Sequence, residues 1–119
     1  MSTDDVRVDV DLDAATAVLH VDDTEAGHID MHRRHGTANA PDALVVVHTE
    51  VDDAYGGRGL AGRLVQAVFD AARAAGLPVV PRCPYARHWL GSHPDYLADV
   101  PEHDRRALGL DDPPTEEAS

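Results

Sequence analysis

The sequence contains no lysine and only one cysteine, and both shortages restrict what the protein can do. Ten arginines stand against 22 acidic residues, which gives a formal net charge of -12. Proteins hold nucleic-acid phosphates with clustered Lys and Arg, so this composition argues against a nucleic-acid partner and favours a cationic one. The single cysteine, Cys83, excludes an internal disulfide.

The sequence also has no long apolar run and no charged-then-apolar leader. We therefore expect a soluble cytoplasmic protein that does not associate with a membrane. A chain of 119 residues has room for one domain with a modest core. The expected organisation is a flexible N-terminus over residues 1–5, a domain over 6–100 and an acidic, disordered tail over 101–119. We expect a monomer or a weak homo-oligomer.

The spacing of apolar residues predicts a mixed α+β fold. Alternating apolar and polar residues are typical of half-buried strands, whereas i, i+4, i+7 spacing is typical of an amphipathic helix. The pattern predicts strands over about 6–12, 17–21, 27–33, 43–51 and 77–80, and a helix over about 59–75. The strand over 43–51 has an unbroken apolar run, which predicts a central strand buried on both faces. The last predicted segment, from Pro84, is weakly helical.

A glycine-rich turn, Tyr55-Gly56-Gly57-Arg58-Gly59-Leu60-Ala61-Gly62, joins the central strand to the predicted helix. Bare backbone amides at a helix N-terminus form an anion site, so the turn is interpreted as a phosphate-binding turn. Its glycines also fit the G-x-G-x-x-G spacing of a dinucleotide fold. Antiparallel strands precede the turn and one short strand follows it, which leaves too little chain for that fold.

Three flanking motifs carry a family resemblance. They are His48-Thr49-Glu50-Val51, Pro81-Arg82-Cys83-Pro84-Tyr85 and His93-Pro94-Asp95-Tyr96. With the turn, they resemble the small single-domain branch of the GCN5-related N-acetyltransferases over roughly Val6 to Val100. The family's turn has the form Gln/Arg-x-x-Gly-x-Gly/Ala. Here Gly59 and Ala61 match that form. Gly56 stands where the family has Gln or Arg, and the nearest arginine, Arg58, lies two residues later.

The resemblance implies an antiparallel meander that leads into a β-α-β core with splayed central strands. It implies acetyl-coenzyme A as the donor and a primary amine as the acceptor; the acidic surface favours a cationic one, such as a lysine side chain or a polyamine. The donor-binding residues that it implies are Val51, Gly56, Gly57, Arg58, Gly59, Leu60, Ala61, Gly62, Cys83 and Tyr85. The alternative function is a non-catalytic acyl-coenzyme A-binding or regulatory module. A nicotinamide-nucleotide binder rests on the glycine spacing alone.

Three residues are candidates for catalysis. His48 and Glu50 share a strand face by the period of two and can relay a proton, although a packed histidine is the competing interpretation. Cys83 precedes Pro84 at a predicted helix start, where the helix dipole lowers a thiol pKa. The resemblance places this cysteine beside the acetyl thioester, which makes an acetyl-cysteine intermediate conceivable. The competing interpretation of Cys83 is an inert buried residue.

The remaining chemistry-bearing residues have structural interpretations that we favour. The apolar underside of the C-terminal helical segment is predicted to consist of Tyr85, Trp89 and Tyr96. His28, Asp30 and His32 alternate on one strand with His35 nearby, which is the pattern of a possible metal site. Without a His-x-x-x-His helix or a cysteine pair, a solvated face is the preferred interpretation, and we expect no metal.

Overall fold

A computed structural model of the protein describes residues 5–38, 42–55 and 59–110. Within these residues, one sheet of five strands runs in sequence order, with antiparallel neighbours except for a parallel last pair. The strands are β1 Val6–Asp11, β2 Thr16–Val21, β3 Thr24–Arg34, β4 Ala43–Val51 and β5 Val79–Pro81. The helices are α1 Leu60–Ala74, α2 Pro84–Ser92 and α3 Glu102–Ala107, with 3₁₀ segments at Asp53–Tyr55 and Pro94–Asp99. The prediction of a mixed α+β fold is confirmed.

The hairpin between β2 and β3 turns on two residues. Asp22 and Asp23 have positive φ angles of 51° and 71°, the conformation of the tight hairpin turns that match strand twist. Strand β3 therefore begins at Thr24, and the predicted start at Gly27 is wrong. Gly27 lies inside the strand, where it is paired with Val51 of β4.

Helix α1 covers one face of the sheet. Its buried residues are Leu60, Leu64, Val65, Val68, Phe69 and Ala72. They meet the apolar side chains of β2, β3, β4 and β5 in the main core. Gly76, which has a φ angle of 71°, terminates the helix as predicted. The N–H groups of Gly76 and Leu77 donate to Arg73 and Ala72, which is the Schellman pattern. No helix among residues 5–38, 42–55 and 59–110 is long and apolar enough to cross a membrane.

The opposite face of the sheet is only partly covered. Leu108, which follows α3, packs on Ala43, Val45 and Val80 in a small second cluster. Helix α3 stands where the sequence predicts a solvated tail, and buried Asp104 attaches it to the end of β3. Residues 1–4 and 111–119, which belong to the expected flexible ends, lie outside the described residues.

Strand β4 contains an irregularity that reverses its faces. Met31 pairs with Val46 and Asp30 pairs with His48, so Val47 is an extra residue, a β-bulge. The segment from Ala43 to Val46 is buried on both faces as predicted, whereas Val47 is 46% exposed. Beyond the bulge, the strand is half-buried at most.

Candidate functional site

The parallel strands β4 and β5 separate at Val46. They pair from Leu44 with Val79 to Val46 with Pro81. At that point, the N–H groups of Arg82 and Cys83 both donate to the Val46 carbonyl, at 2.9 and 3.0 Å. Strand β4 continues to Val51 without a β5 partner. The sheet therefore has an opening between the end of β4 and the start of α2.

The bulge turns backbone groups of β4 toward this opening. The N–H of Asp52 donates to Ala26 at 2.7 Å, so Asp52 points toward the β3 side. Strand geometry alternates the direction of the backbone groups, and those of Thr49 and Val51 therefore point the other way. An amide-bearing ligand in the opening can pair with them. Val51 was predicted from the family resemblance, whereas Thr49 was missed because a bulge leaves no sequence pattern.

Cys83 lies between the two sides of the opening. It is the residue before α2, is 3% exposed, and its Sγ lies 3.4 Å from Thr49 Oγ1. Burial raises the pKa of the Cys83 thiol, but hydrogen bonds with the Thr49 side chain and with the backbone of Ala86, Tyr85 and Thr49 outweigh it. The pKa is therefore lowered from its ordinary value of 9.0. The surroundings therefore stabilise the thiolate more than water does for an ordinary cysteine.

His48 and Glu50 lie together on the other face of β4. His48 Nε2 is 3.6 Å from Glu50 Oε1, and both side chains are more than half exposed. His28 Nε2 lies 4.0 Å from the same carboxylate oxygen and 3.5 Å from Asp30 Oδ2. Thr49, which pairs with the buried Ile29, points with Cys83 to the α1 face. The structure thus brings the histidine and the glutamate together and places the thiol on the opposite face.

An acidic cleft adjoins Glu50. It has a volume of about 390 Å³ and is lined by Glu25, Ala26, Gly27, His28, Glu50, Val51, Asp52 and Asp53. One of its carboxylates, that of Asp52, accepts the Ala54 N–H at 3.0 Å and so begins the following 3₁₀ turn. The cleft therefore presents four carboxylates to any molecule that approaches the β3–β4 side of the site. In the part of the chain that the structure describes, no group of three His, Cys, Asp or Glu side chains is arranged to hold a metal ion.

The glycine turn is described only from Gly59 onward. Gly56, Gly57 and Arg58 lie outside the described residues. Gly59 has a φ angle of 71° and precedes α1 without a side-chain cap, so the first N–H groups of the helix have no intrahelical acceptor. The Leu60 side chain is buried in the core and offers only its backbone to a ligand. Ala61 and Gly62 are half-buried in the first helical turn.

Tyr85 lies in a groove between α1 and α2. The groove has a volume of about 370 Å³ and is lined by Gly59, Gly62, Arg63, Gln66, Tyr85, His88, Trp89, Ser92 and His93. The four α2 residues among them repeat at i, i+3, i+4 and i+7, which is one helix face. That spacing is visible in the sequence and indicates a shared face. Trp89 and Tyr96 contact Phe69 of α1, in keeping with the packing predicted for them.

An antiparallel meander joined to a β-α-β unit with diverging parallel strands defines an N-acetyltransferase fold, and of the residues that the resemblance implies, Val51 and Cys83 lie at the opening. The family model of the GCN5-related N-acetyl-transferases matches residues 17–100. The chain belongs to this family, which confirms the resemblance.

Comparison with solved structures agrees on the fold. The chain is similar to the ribosomal-protein-alanine N-acetyltransferase from Brucella melitensis biovar Abortus 2308, with a TM-score of 0.52 and 19% sequence identity. The similarity covers 87% of this chain and 66% of that protein. No curated protein matches the chain.

Proposed function

We propose that the protein transfers an acetyl group from acetyl-coenzyme A to a primary amine of a cationic acceptor, a lysine side chain or a polyamine. The observation that carries this proposal is the opening between β4 and β5. Its edges are the outward-facing backbone groups of Thr49 and Val51, the thiol of Cys83 and the uncapped N-terminus of α1. An extended thioester with amides along its arm and phosphates at its far end is complementary to these groups.

The two faces of β4 supply different parts of the reaction. On the open face, His48 and Glu50 can take the proton of an ammonium group, because the amine must be neutral to attack. The amine nitrogen then bonds to the thioester carbon, the carbon–sulfur bond breaks, and the sulfur leaves with the electron pair. Backbone N–H groups at the opening can stabilise the negative charge that develops on the carbonyl oxygen.

The acidic cleft favours a cationic acceptor. Glu25, Asp52 and Asp53 lie along the same cleft as Glu50, and carboxylates that line a cleft attract positively charged molecules. A polyamine or a lysine side chain with basic neighbours satisfies this requirement. The acceptor therefore approaches from the β3–β4 side of the opening.

The proposal is tested by thermal unfolding and by transfer assays on the same protein. We expect acetyl-coenzyme A at about 100 times its dissociation constant to stabilise the fold by about 2.7 kcal/mol, whereas NADPH has no effect. Mass spectrometry should then detect acetylated spermidine or acetylated lysine peptide. Glu50→Gln should lower kcat by about 10²-fold or more without changing donor binding, and Glu102→Gln, remote from the opening, serves as the matched control.

The outcomes separate the competing functions. Stabilisation by acetyl-coenzyme A without transfer to any amine of the panel would favour the non-catalytic acyl-coenzyme A-binding module. Stabilisation by NADPH alone would overturn the proposal and favour the nicotinamide-nucleotide binder.

A further inference from the structure

Strand β1 forms one edge of the sheet. Within the described residues, β2 is its only neighbour in the sheet. The N–H of Asp22 donates to the Asp5 carbonyl at 2.9 Å, so the backbone groups of Asp5 point toward β2. Because these groups alternate in direction along an antiparallel strand, those of Val6, Val8 and Val10 point outward. Their N–H and C=O groups are available to a further strand.

The side chains of β1 differ between its two faces. The three valines are partly buried and pack against the main core on the α1 face. Arg7, Asp9 and Asp11 are exposed on the other face. There, Arg7 Nε and His20 Nε2 each lie 3.4 Å from Asp9 Oδ2. The Asp9 side chain is 60% exposed, and a carboxylate with two oxygens can accept further hydrogen bonds. The edge therefore presents a cation and an anion two residues apart.

This pattern selects one register for a second copy of β1. In an antiparallel pair with a two-fold axis at Val8, Val6 lies opposite Val10, and Arg7 lies opposite Asp9 on both sides of the axis. Only this axis pairs all three valines with one another. An axis at Arg7 or at Asp9 would place that residue opposite the same charge in the second copy, which is destabilising. The apolar pattern and the charge pattern thus favour the same register.

The ends of the strand are less complementary. In this register, Asp5 lies opposite Asp11 of the second copy at each end. Asp11 Oδ1 already accepts the Ala14 N–H at 3.0 Å, which holds this carboxylate toward its own turn. The acidic ends therefore limit the strength of the pairing but do not change its register.

A groove on the α1 face adjoins the same edge. It has a volume of about 300 Å³ and is lined by Val8, Arg63, Gln66, Ala67 and Asp70. The four α1 residues recur at i, i+3, i+4 and i+7, which is one helix face with opposite charges at its two ends. A two-fold axis reverses their order in a second copy, so that Arg63 of one copy and Asp70 of the other lie at the same end. Val8 of the second copy would cover apolar surface that this groove leaves open.

We propose that β1 is an interaction surface for a second copy of this chain, which pairs with it antiparallel about a two-fold axis at Val8. The two sheets then form one continuous sheet. The interface is isologous, because the same strand serves both copies. This inference goes beyond the proposed function and does not rest on it, since β1 lies at the opposite edge of the sheet from β5. Two copies, each with a net charge of -12, repel each other at long range.

The first experiment measures self-association and its location. At about 0.15 M salt the Debye length is about 8 Å, so distant charges are screened whereas side chains in contact are not. We expect sedimentation equilibrium to show a reversible dimer. In amide exchange by NMR, the N–H groups of Val6, Val8 and Val10 should exchange about tenfold more slowly in the dimer than in the monomer. Those of Arg7 and Asp9, which point toward β2, should not change.

The second experiment tests the register by exchange of charges. Arg7→Asp and Asp9→Arg each place like charges opposite each other, so each variant should dimerise at least about tenfold more weakly than the wild type. Mixed together, the two variants should form a heterodimer that native mass spectrometry detects, because the aspartates of one copy then lie opposite the arginines of the other. The contact between residues 7 and 9 within each copy stays broken in both variants. Recovery in the mixture can therefore come only from contacts between copies.

The matched control is Arg106→Asp. It makes the same charge change as Arg7→Asp at a side chain of α3 that is 68% exposed. It should leave the dissociation constant of the dimer unchanged. Thermal unfolding of each variant confirms that it is folded before its association is measured.

The outcomes decide between a second copy and other partners. A chain that stays monomeric at millimolar concentration would overturn the inference and leave this edge to a strand of a different protein. A dimer that Arg7→Asp does not weaken, or in which the Val8 amide is not protected, would overturn it by locating the interface elsewhere. Folded variants that do not form a heterodimer would overturn the register. Each of these results leaves the proposed acetyl transfer unaffected, and a failure of acetyl transfer leaves the dimer unaffected.

Discussion

Cys83 combines burial with stabilisation of its charged form, a combination that is unusual for an inert thiol. The Thr49 hydroxyl and three backbone amides surround its sulfur, and together they lower its pKa although burial raises it. A thiolate is the nucleophilic form of cysteine. In contact with a thioester, the sulfur can attack the carbonyl carbon, form a new carbon–sulfur bond and release the coenzyme A thiolate. Acetyl-Cys83 is the product of that exchange.

Incubation with acetyl-coenzyme A should add one acetyl group, about 42 Da, to the wild-type protein and none to Cys83→Ala. The alanine variant should keep its affinity for coenzyme A, because the proposed contacts to the phosphates and to the amides of the pantetheine arm come from backbone groups that the substitution leaves in place. Intact mass spectrometry after removal of the donor measures the addition. An unmodified wild-type protein that still acetylates amines would show that the amine attacks the donor directly.

The lowered pKa of Cys83 also makes a prediction about stability. A thiol whose pKa is lower in the folded state than in the unfolded state stabilises the fold as a thiolate. Its contribution to the free energy of unfolding is fully present above the unfolded-state pKa and is lost as the pH falls through the folded-state pKa. Unfolding in urea should therefore show that the wild type gains free energy of unfolding relative to Cys83→Ser as the pH rises toward 9.0, the ordinary thiol pKa. A difference that is constant with pH would contradict this reasoning.

Gly27 is required by the close approach of two strands. A Cβ atom at this position would lie 2.6 Å from the Glu50 carbonyl oxygen and 3.0 Å from Val51 Cγ2, so backbone atoms of β4 would have to move. We expect Gly27→Ala to lower the free energy of unfolding by about 1–3 kcal/mol. It should also lower activity, because Glu50 moves with its backbone. Gly91→Ala is the control for urea unfolding and for kcat, because no neighbouring atom of the described residues outside its own helix lies within 4 Å of the Cβ position.

At the scale of elements, the bulge in β4 shows where sequence reasoning ends. The period of two correctly predicts that His48 and Glu50 share a face. Continued through the strand, however, the same period would place them with Leu44 and Val46 in the core. Val47 adds a residue and moves them to the open face. Because a bulge depends on pairing with the neighbouring strand, the sequence of β4 does not reveal it.

The elements themselves are largely predictable. Helix α1 has a strong apolar stripe and a Gly76 stop, and its predicted bounds differ from the observed ones by a residue at each end. The antiparallel meander is predicted by the alternation of apolar and polar residues in the strands and by the turn residues between them. Helix α3 was missed because it is short and highly charged, and its position depends on a contact that is distant in sequence. No local sequence pattern predicts the ion pair between Arg34 and Asp104.

That pair attaches α3 to the sheet. Arg34 Nη1 lies 2.9 Å from Asp104 Oδ1, Arg34 Nη2 lies 3.1 Å from Oδ2, and the Asp104 side chain is only 10% exposed. Loss of a charged hydrogen-bond partner costs about 1.5–3 kcal/mol. We expect Asp104→Asn to lower the free energy of unfolding by that amount and to increase amide exchange across Glu102–Ala107.

The control for this pair is a surface pair of similar chemistry. Glu102 and Arg106 lie on the exposed side of α3, with side chains that are 66% and 68% exposed. Exposed pairs of this spacing contribute about 0.3–0.5 kcal/mol, so Glu102→Gln should have little effect. Equal effects of the two substitutions would contradict a structural role for Arg34 and Asp104.

At the scale of the whole molecule, charge is distributed unevenly around the opening of the sheet. Carboxylates line the cleft on the β3–β4 side, whereas Arg63 and two histidines line the groove on the α1–α2 side. Under the proposed function, this distribution favours the approach of a positively charged acceptor from the β3–β4 side of the opening. The net charge of -12 repels a negatively charged donor at long range.

This arrangement predicts different effects of salt on the two substrates. The Debye screening length falls from about 10 Å at 0.1 M salt to about 3 Å at 1 M. Higher salt therefore weakens the attraction of a polyamine to the cleft, and it also weakens the long-range repulsion of the donor. Between 0.05 and 1 M NaCl, the KM for spermidine should rise severalfold at constant kcat, whereas the KM for acetyl-coenzyme A should change less or fall. A singly charged amine of similar length serves as the control and should lose less affinity. If the KM for spermidine does not depend on salt, the acidic cleft does not bind the acceptor.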